Sequence, residues 1–113
     1  MRRRNVKVLQ QAIKKAKSNK AKAEAYFALA LLHDDQSRKT KAIPNYRKAI
    51  CYGLPRENKS RTLAYMARSL WKTGHPEKAL GNARIALRLT HQSELKAWIE
   101  RLMARIERRP YRQ

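Results

Sequence analysis

Lys41-Ala42-Ile43-Pro44-Asn45-Tyr46-Arg47-Lys48-Ala49-Ile50 decides the fold, because it returns. Downstream, Lys78-Ala79-Leu80-Gly81-Asn82-Ala83-Arg84-Ile85-Ala86-Leu87 repeats its frame at an offset of 37 residues, with Ala79 for Ala42, Ala86 for Ala49 and Leu87 for Ile50. The same step backwards from Ala49-Ile50 lands on Ala12-Ile13, inside Val8-Leu9-Gln10-Gln11-Ala12-Ile13-Lys14. A period between roughly 20 and 50 residues marks stacked supersecondary units, since one unit alone cannot bury its apolar face. The chain reads as a short repeat array.

The residues ahead of each frame repeat too. Tyr26-Phe27-Ala28-Leu29-Ala30 stands 16 residues before Ala42, and Leu63-Ala64-Tyr65-Met66-Ala67 stands 16 before Ala79. Each unit is thus two helices. The first carries a large residue, then a Leu or Met and a small residue; the second carries two Ala seven apart. Small residues at those points let antiparallel helices approach closely, and large ones fill the gaps.

This pattern resembles the tetratricopeptide repeat. Tyr26, Leu29, Ala30, His33, Ala42, Tyr46 and Ala49 occupy its places in the first unit, and Leu63, Met66, Ala67, Leu70, Gly74, Ala79, Ala83 and Ala86 in the second. Ala28 to Asp35, Ala42 to Tyr46, Gly53-Leu54-Pro55 and Leu95-Lys96-Ala97-Trp98-Ile99 are similar to a bacterial tetratricopeptide group with slightly lengthened repeats, over about residues 21–105. His33 and Ala83 depart from it, standing where rings are usual, and are expected to loosen the packing. The resemblance implies an all-α superhelical solenoid of antiparallel helix pairs, about two and a half repeats in six helices. It also implies a binding scaffold without a catalytic motif.

Length and composition agree with one domain. The chain has 113 residues, of which 42% are apolar, enough for the local burial that a stacked array needs. No run approaches the ~18 apolar residues of a membrane span. The start carries no secretory apolar stretch, so a cytoplasmic protein is expected. The lone Cys51 has no intrachain mate, in keeping with a reducing compartment, and reads as a small apolar filler late in its helix.

Charge is the extreme quantity, at 28 basic against 8 acidic residues and a net +20. Residues 1–22 hold nine bases and no acid, while residues 23–37 hold Glu24, Asp34 and Asp35 and no base. A field of this size opposes compaction and attracts polyanions or acidic surfaces.

Along the chain, residues 5–17 form an N-terminal capping helix with Val6, Leu9, Ala12, Ile13 and Ala16 on one side at 100° per residue. Residues 21–52 make the first repeat, residues 58–89 the second, and residues 93–109 a C-terminal capping helix on Leu95, Ile99, Leu102, Met103 and Ile106. Lys17-Ser18-Asn19-Lys20 supplies cap candidates at the first break. Thr40 or Ser37 is expected to cap the third helix, with Pro44 near its first turn, where a missing N–H costs least. Gly74 stops the fourth helix and Pro76 starts the fifth. Gly81 inside that helix costs about 1 kcal/mol relative to Ala, which suggests a close helix contact. Residues 110–113 read as a frayed tail.

Candidate chemistry is sparse. His33 reads as a core histidine, with His75 and His91 far off and no metal-ligand spacing. No nucleophile–His–acid set or phosphate-cradling glycine run appears, so no enzyme, no cofactor and no metal is expected. Trp71 and Trp98 read as packing residues.

The resemblance places the first helices of successive repeats along a concave groove. On the fourth helix Arg61, Tyr65, Arg68 and Lys72 fall within about a 60° arc opposite Leu63, Met66, Ala67 and Leu70. The matching face of the second helix holds Glu24, Ala28, Leu31 and Asp35, and that of the last helix Ala97, Arg101 and Arg108. The expected partner-binding groove is therefore Leu31, Arg61, Tyr65, Arg68, Lys72, Arg101 and Arg108. It suits an acidic or extended peptide held through charge-assisted hydrogen bonds. A nucleic acid stacked on Tyr65 between phosphate contacts is the alternative partner. The carboxylate clamp that some relatives build from paired Asn does not carry over, because Ala28 and Tyr65 stand where Asn is expected.

Overall fold

The computed structural model describes residues 5–109; the basic start at residues 1–4 and the tail at residues 110–113 lie outside them. Among the described residues there are six helices and no strand: α1 Val6–Lys15, α2 Asn19–Asp35, α3 Lys39–Tyr52, α4 Arg56–Lys72, α5 Pro76–Leu89 and α6 Ser93–Arg108. This is the all-α helical repeat of antiparallel pairs that the 37-residue period requires. Each predicted helix is present, with ends shifted by a few residues at most.

Two compact units divide at Leu54 and Pro55. In the first, α2 and α3 run antiparallel: Tyr26 near the start of α2 stacks on Tyr52 at the end of α3, with ring centroids 5.5 Å apart. At the opposite end Tyr46 donates its hydroxyl to Asp34 Oδ2 at 2.8 Å, and Lys39 pairs with the other carboxylate oxygen. Ala30, Ala42 and Ala49 are fully buried between the two helices. Helix α1 packs on α2 with Leu9 buried, but Ala12 is exposed and Val8 is 42% exposed. Its apolar side is therefore only partly covered, unlike the five-residue packing stripe expected there.

The second unit repeats the pair. Ser60 early on α4 donates to Ala86 O late on α5 at 2.7 Å, and Ala67, Ala79, Ala83 and Ala86 are fully buried. Glu57 in the first turn of α4 accepts from His91 N–H at 2.6 Å and from the Thr90 hydroxyl at 2.9 Å, which fixes the α5–α6 connection. Those two bonds, the His91 N–H first, hold its carboxyl below the usual range.

Helix ends follow local chemistry. Asn5 and Ser18 accept from the backbone N–H three residues on, capping α1 and α2. The α2 end and the α4 end are the same turn 37 residues apart. Arg38 N bonds His33 O at 2.7 Å and His75 N bonds Leu70 O at 2.8 Å, closing a six-residue C-terminal loop in each. The left-handed residue it needs is Ser37 at φ 62° in one and Gly74 at φ 89° in the other. Ser37 therefore belongs to the α2 terminus. Neither it nor Thr40 caps α3, whose N-cap is Arg38 without a side-chain bond.

Two further expectations are corrected. Pro44 is the sixth residue of α3, one turn deeper than expected, and the Asn45 side chain donates to Lys41 O beside it. At Gly81 a Cβ would meet nothing within 4 Å, so no helix approaches closely there. Gly81→Ala is accordingly expected to stabilise the chain by about 1 kcal/mol and raise the thermal midpoint by a few degrees. Loss of stability on calorimetric melting would show a contact that the backbone does not reveal.

Ala83 is fully buried against its pair. Positions 34 and 46 touch in the first unit as Asp and Tyr; their equivalents 71 and 83 are Trp and Ala, both buried. Cys51, expected as filler, is exposed.

Candidate functional site

Helix α4 is buried around most of its circumference, with Leu63, Met66, Ala67, Leu70 and Trp71 all buried. Its remaining side carries Arg61, Tyr65, Arg68 and Lys72, as the helical spacing predicts, and all four are half-buried. Arg61, Tyr65 and Arg68 meet α6 or the residue before it. Contacts run in order along both helices: Arg61 reaches Gln92, Tyr65 meets Trp98, and Arg105 lies over Trp71. The two helices are therefore parallel, as the first helices of successive repeats must be.

At the centre the Trp98 and Tyr65 rings meet edge to face, with centroids 5.8 Å apart and planes at 79°. The Arg68 guanidinium carbon lies 5.6 Å from each centroid. A cation over two aromatic faces is held by both ring quadrupoles, at about 0.5–2 kcal/mol per contact. Arg68 thus lies on the side opposite Leu63, Met66, Ala67 and Leu70, as expected, and packs there on two rings. At the C-terminal end Trp71 is buried and donates Nε1–H to Arg109 O at 2.8 Å, with the Arg105 guanidinium 5.0 Å from its ring centroid. Arg61 donates to Gln92 at 3.3 Å, a long bond, and Arg101 and Arg108 are exposed on α6.

Of the predicted set, Arg61, Tyr65, Arg68, Lys72, Arg101 and Arg108 belong to this one unit. Leu31 is half-buried on α2 of the first unit. Trp98 and Arg105 were missed as members of the face. The available signal was that Trp98 sits three residues before Arg101 on the α6 side already assigned to the groove.

Other chemistry is limited. His33 is a core histidine as expected: burial, then the charges of Arg38 and Lys41, hold its pKa below the usual value. Among the described residues no three His, Cys, Asp or Glu side chains converge as metal ligands, and no helix is long and apolar enough to cross a membrane.

Compared with known families, residues 23–107 match the model described as Tetratrico peptide repeat. The chain belongs to the tetratricopeptide-repeat family. No curated protein and no solved structure matches it. In tetratricopeptide-repeat terms α2–α3 and α4–α5 are two complete repeats, α1 has the register of a second helix and α6 that of a first. Members of this family are typically non-catalytic scaffolds that mediate protein–protein interaction.

Proposed function

We propose that this tetratricopeptide-repeat protein is a non-enzymatic adaptor that holds an acidic, extended peptide on the α4–α6 face of its second unit. The observation that supports this reading best is the Arg68 guanidinium held over Tyr65 and Trp98. An aromatic surface that already contains a fixed positive charge favours a peptide bearing carboxylates beside an apolar or aromatic anchor. Arg61 and Lys72 flank it along α4, and the exposed Arg101 and Arg108 offer forks for bidentate carboxylate contacts. Little side-chain freedom remains to be lost at the rings, which keeps the ordering cost of binding small.

The net charge of +20 favours a second reading, a single-stranded nucleic acid laid along the same cations. Salt separates the two. An acidic peptide with one aromatic residue is expected to bind with one-to-one stoichiometry at 150 mM salt, measured by fluorescence anisotropy. An oligonucleotide held by four to six phosphate contacts loses roughly 50- to 300-fold in affinity between 50 and 200 mM. Oligonucleotide binding that survives at 150 mM and weakens by about 1–3 kcal/mol on Tyr65→Ala or Trp98→Ala would transfer the function to nucleic acid.

A further inference from the structure

The first unit carries a second, different basic site. Where α1 begins and α2 turns into α3, an open cavity of about 610 Å³ is lined by Asn5, Lys7, His33, Gln36, Arg38 and Lys41. Its charged members are all cations, and they come from separate elements: Lys7 from α1, Arg38 from the α2–α3 turn and Lys41 from α3. Asp34, next to His33 in the chain, is directed to Tyr46 and Lys39 instead.

The wall is ordered from behind. His33 is only 7% exposed, and its Nδ1 accepts from Arg38 Nε at 2.9 Å, so the ring orients the guanidinium while leaving its terminal N–H groups for other acceptors. Among the described residues Lys7 and Lys41 form no ion pair. Helices α1 and α3 both open at this end without an acid in their first turns, and α3 opens without a side-chain cap. Their N-terminal dipoles add partial positive charge to that of the three side chains. Burial and the two nearby cations keep His33 neutral at neutral pH, so the imidazole accepts from Arg38.

We propose that this cavity binds a phosphate group, with Arg38, Lys41 and Lys7 as its charged donors and Gln36 and Asn5 as neutral ones. Three converging cations match a dianion better than a single carboxylate, and the planar Arg38 fork suits two phosphate oxygens. A small-molecule monoester and a phosphorylated side chain present this same group.

The test uses the full chain and the imidazole NMR signals of His33, His75 and His91, titrated with inorganic phosphate against chloride at matched ionic strength. Bound phosphate adds negative charge beside His33, so its titration midpoint is expected to rise. His75 and His91, exposed in the second unit, serve as internal controls and should not move. Lys7→Ala and Lys41→Ala should each weaken phosphate about tenfold at unchanged helicity. A phosphoserine peptide that competes while ribose 5-phosphate does not would identify a protein source; the reverse would identify a small molecule. An equal response of all three histidines, or parent-like affinity in both lysine variants, overturns the proposal.

Discussion

Simultaneous Arg61→Glu, Lys72→Glu and Arg101→Glu is expected to weaken an acidic peptide by at least ~100-fold, because each substitution replaces attraction by like-charge repulsion. The comparison that gives this meaning is Lys7→Glu, Lys14→Glu and Lys15→Glu on α1. Both sets lower the net charge from +20 to +14, so the general field of the protein falls equally. The α1 set is expected to cost less than about threefold, mainly through association rate. Equal losses from the two sets would mean that the α4–α6 face has no special role and that binding follows overall charge. Arg68 is deliberately left intact. A carboxylate in its place would face the negative π surfaces of Tyr65 and Trp98, and a binding loss there would mix recognition with lost packing. Titration by isothermal calorimetry, with circular dichroism to confirm unchanged helicity, gives both quantities.

Tyr46→Ala is expected to destabilise the first unit by about 3–5 kcal/mol, the range for deleting a fully buried aromatic side chain. The loss has two parts that a second variant separates. Tyr46→Phe keeps the ring and its contact with Phe27, 6.3 Å away between centroids, but removes the hydroxyl donated to Asp34. That bond has a charged acceptor, so its removal is expected to cost about 1.5–3 kcal/mol. Urea unfolding followed by circular dichroism should place Phe between the parent and Ala. Equal midpoints for Phe and the parent would show that the hydroxyl adds nothing to the ring. Both tryptophans lie in the second unit, so their fluorescence gives a separate reading of that half.

Much of this protein is written locally. The 37-residue return of Ala-x6-Ala, the Gly74 stop, the Pro76 start and the Ser18 cap all act within a turn or two of the chain. They determined six helices, their pairing and the family without reference to any distant contact. The arc of Arg61, Tyr65, Arg68 and Lys72 was legible for the same reason, since residues on one helix keep fixed angular relations whatever surrounds them.

What that arc meets was not legible. Only the placement of α6 parallel to α4 brings Trp98 against Tyr65 and puts Arg68 over both rings, so that the expected groove face is half-packed. Gly81 errs in the opposite direction: a small residue suggested a close neighbour, and the tertiary structure places none there. The cavity between Lys7 and the α2–α3 turn joins residues about thirty positions apart that share no periodic pattern. Helix existence and facing are set by backbone periodicity and local breakers, which the sequence carries on its own. Side-chain partners across helices depend on axial offset and rotation between packed helices, and those are decided only when the helices close on one another.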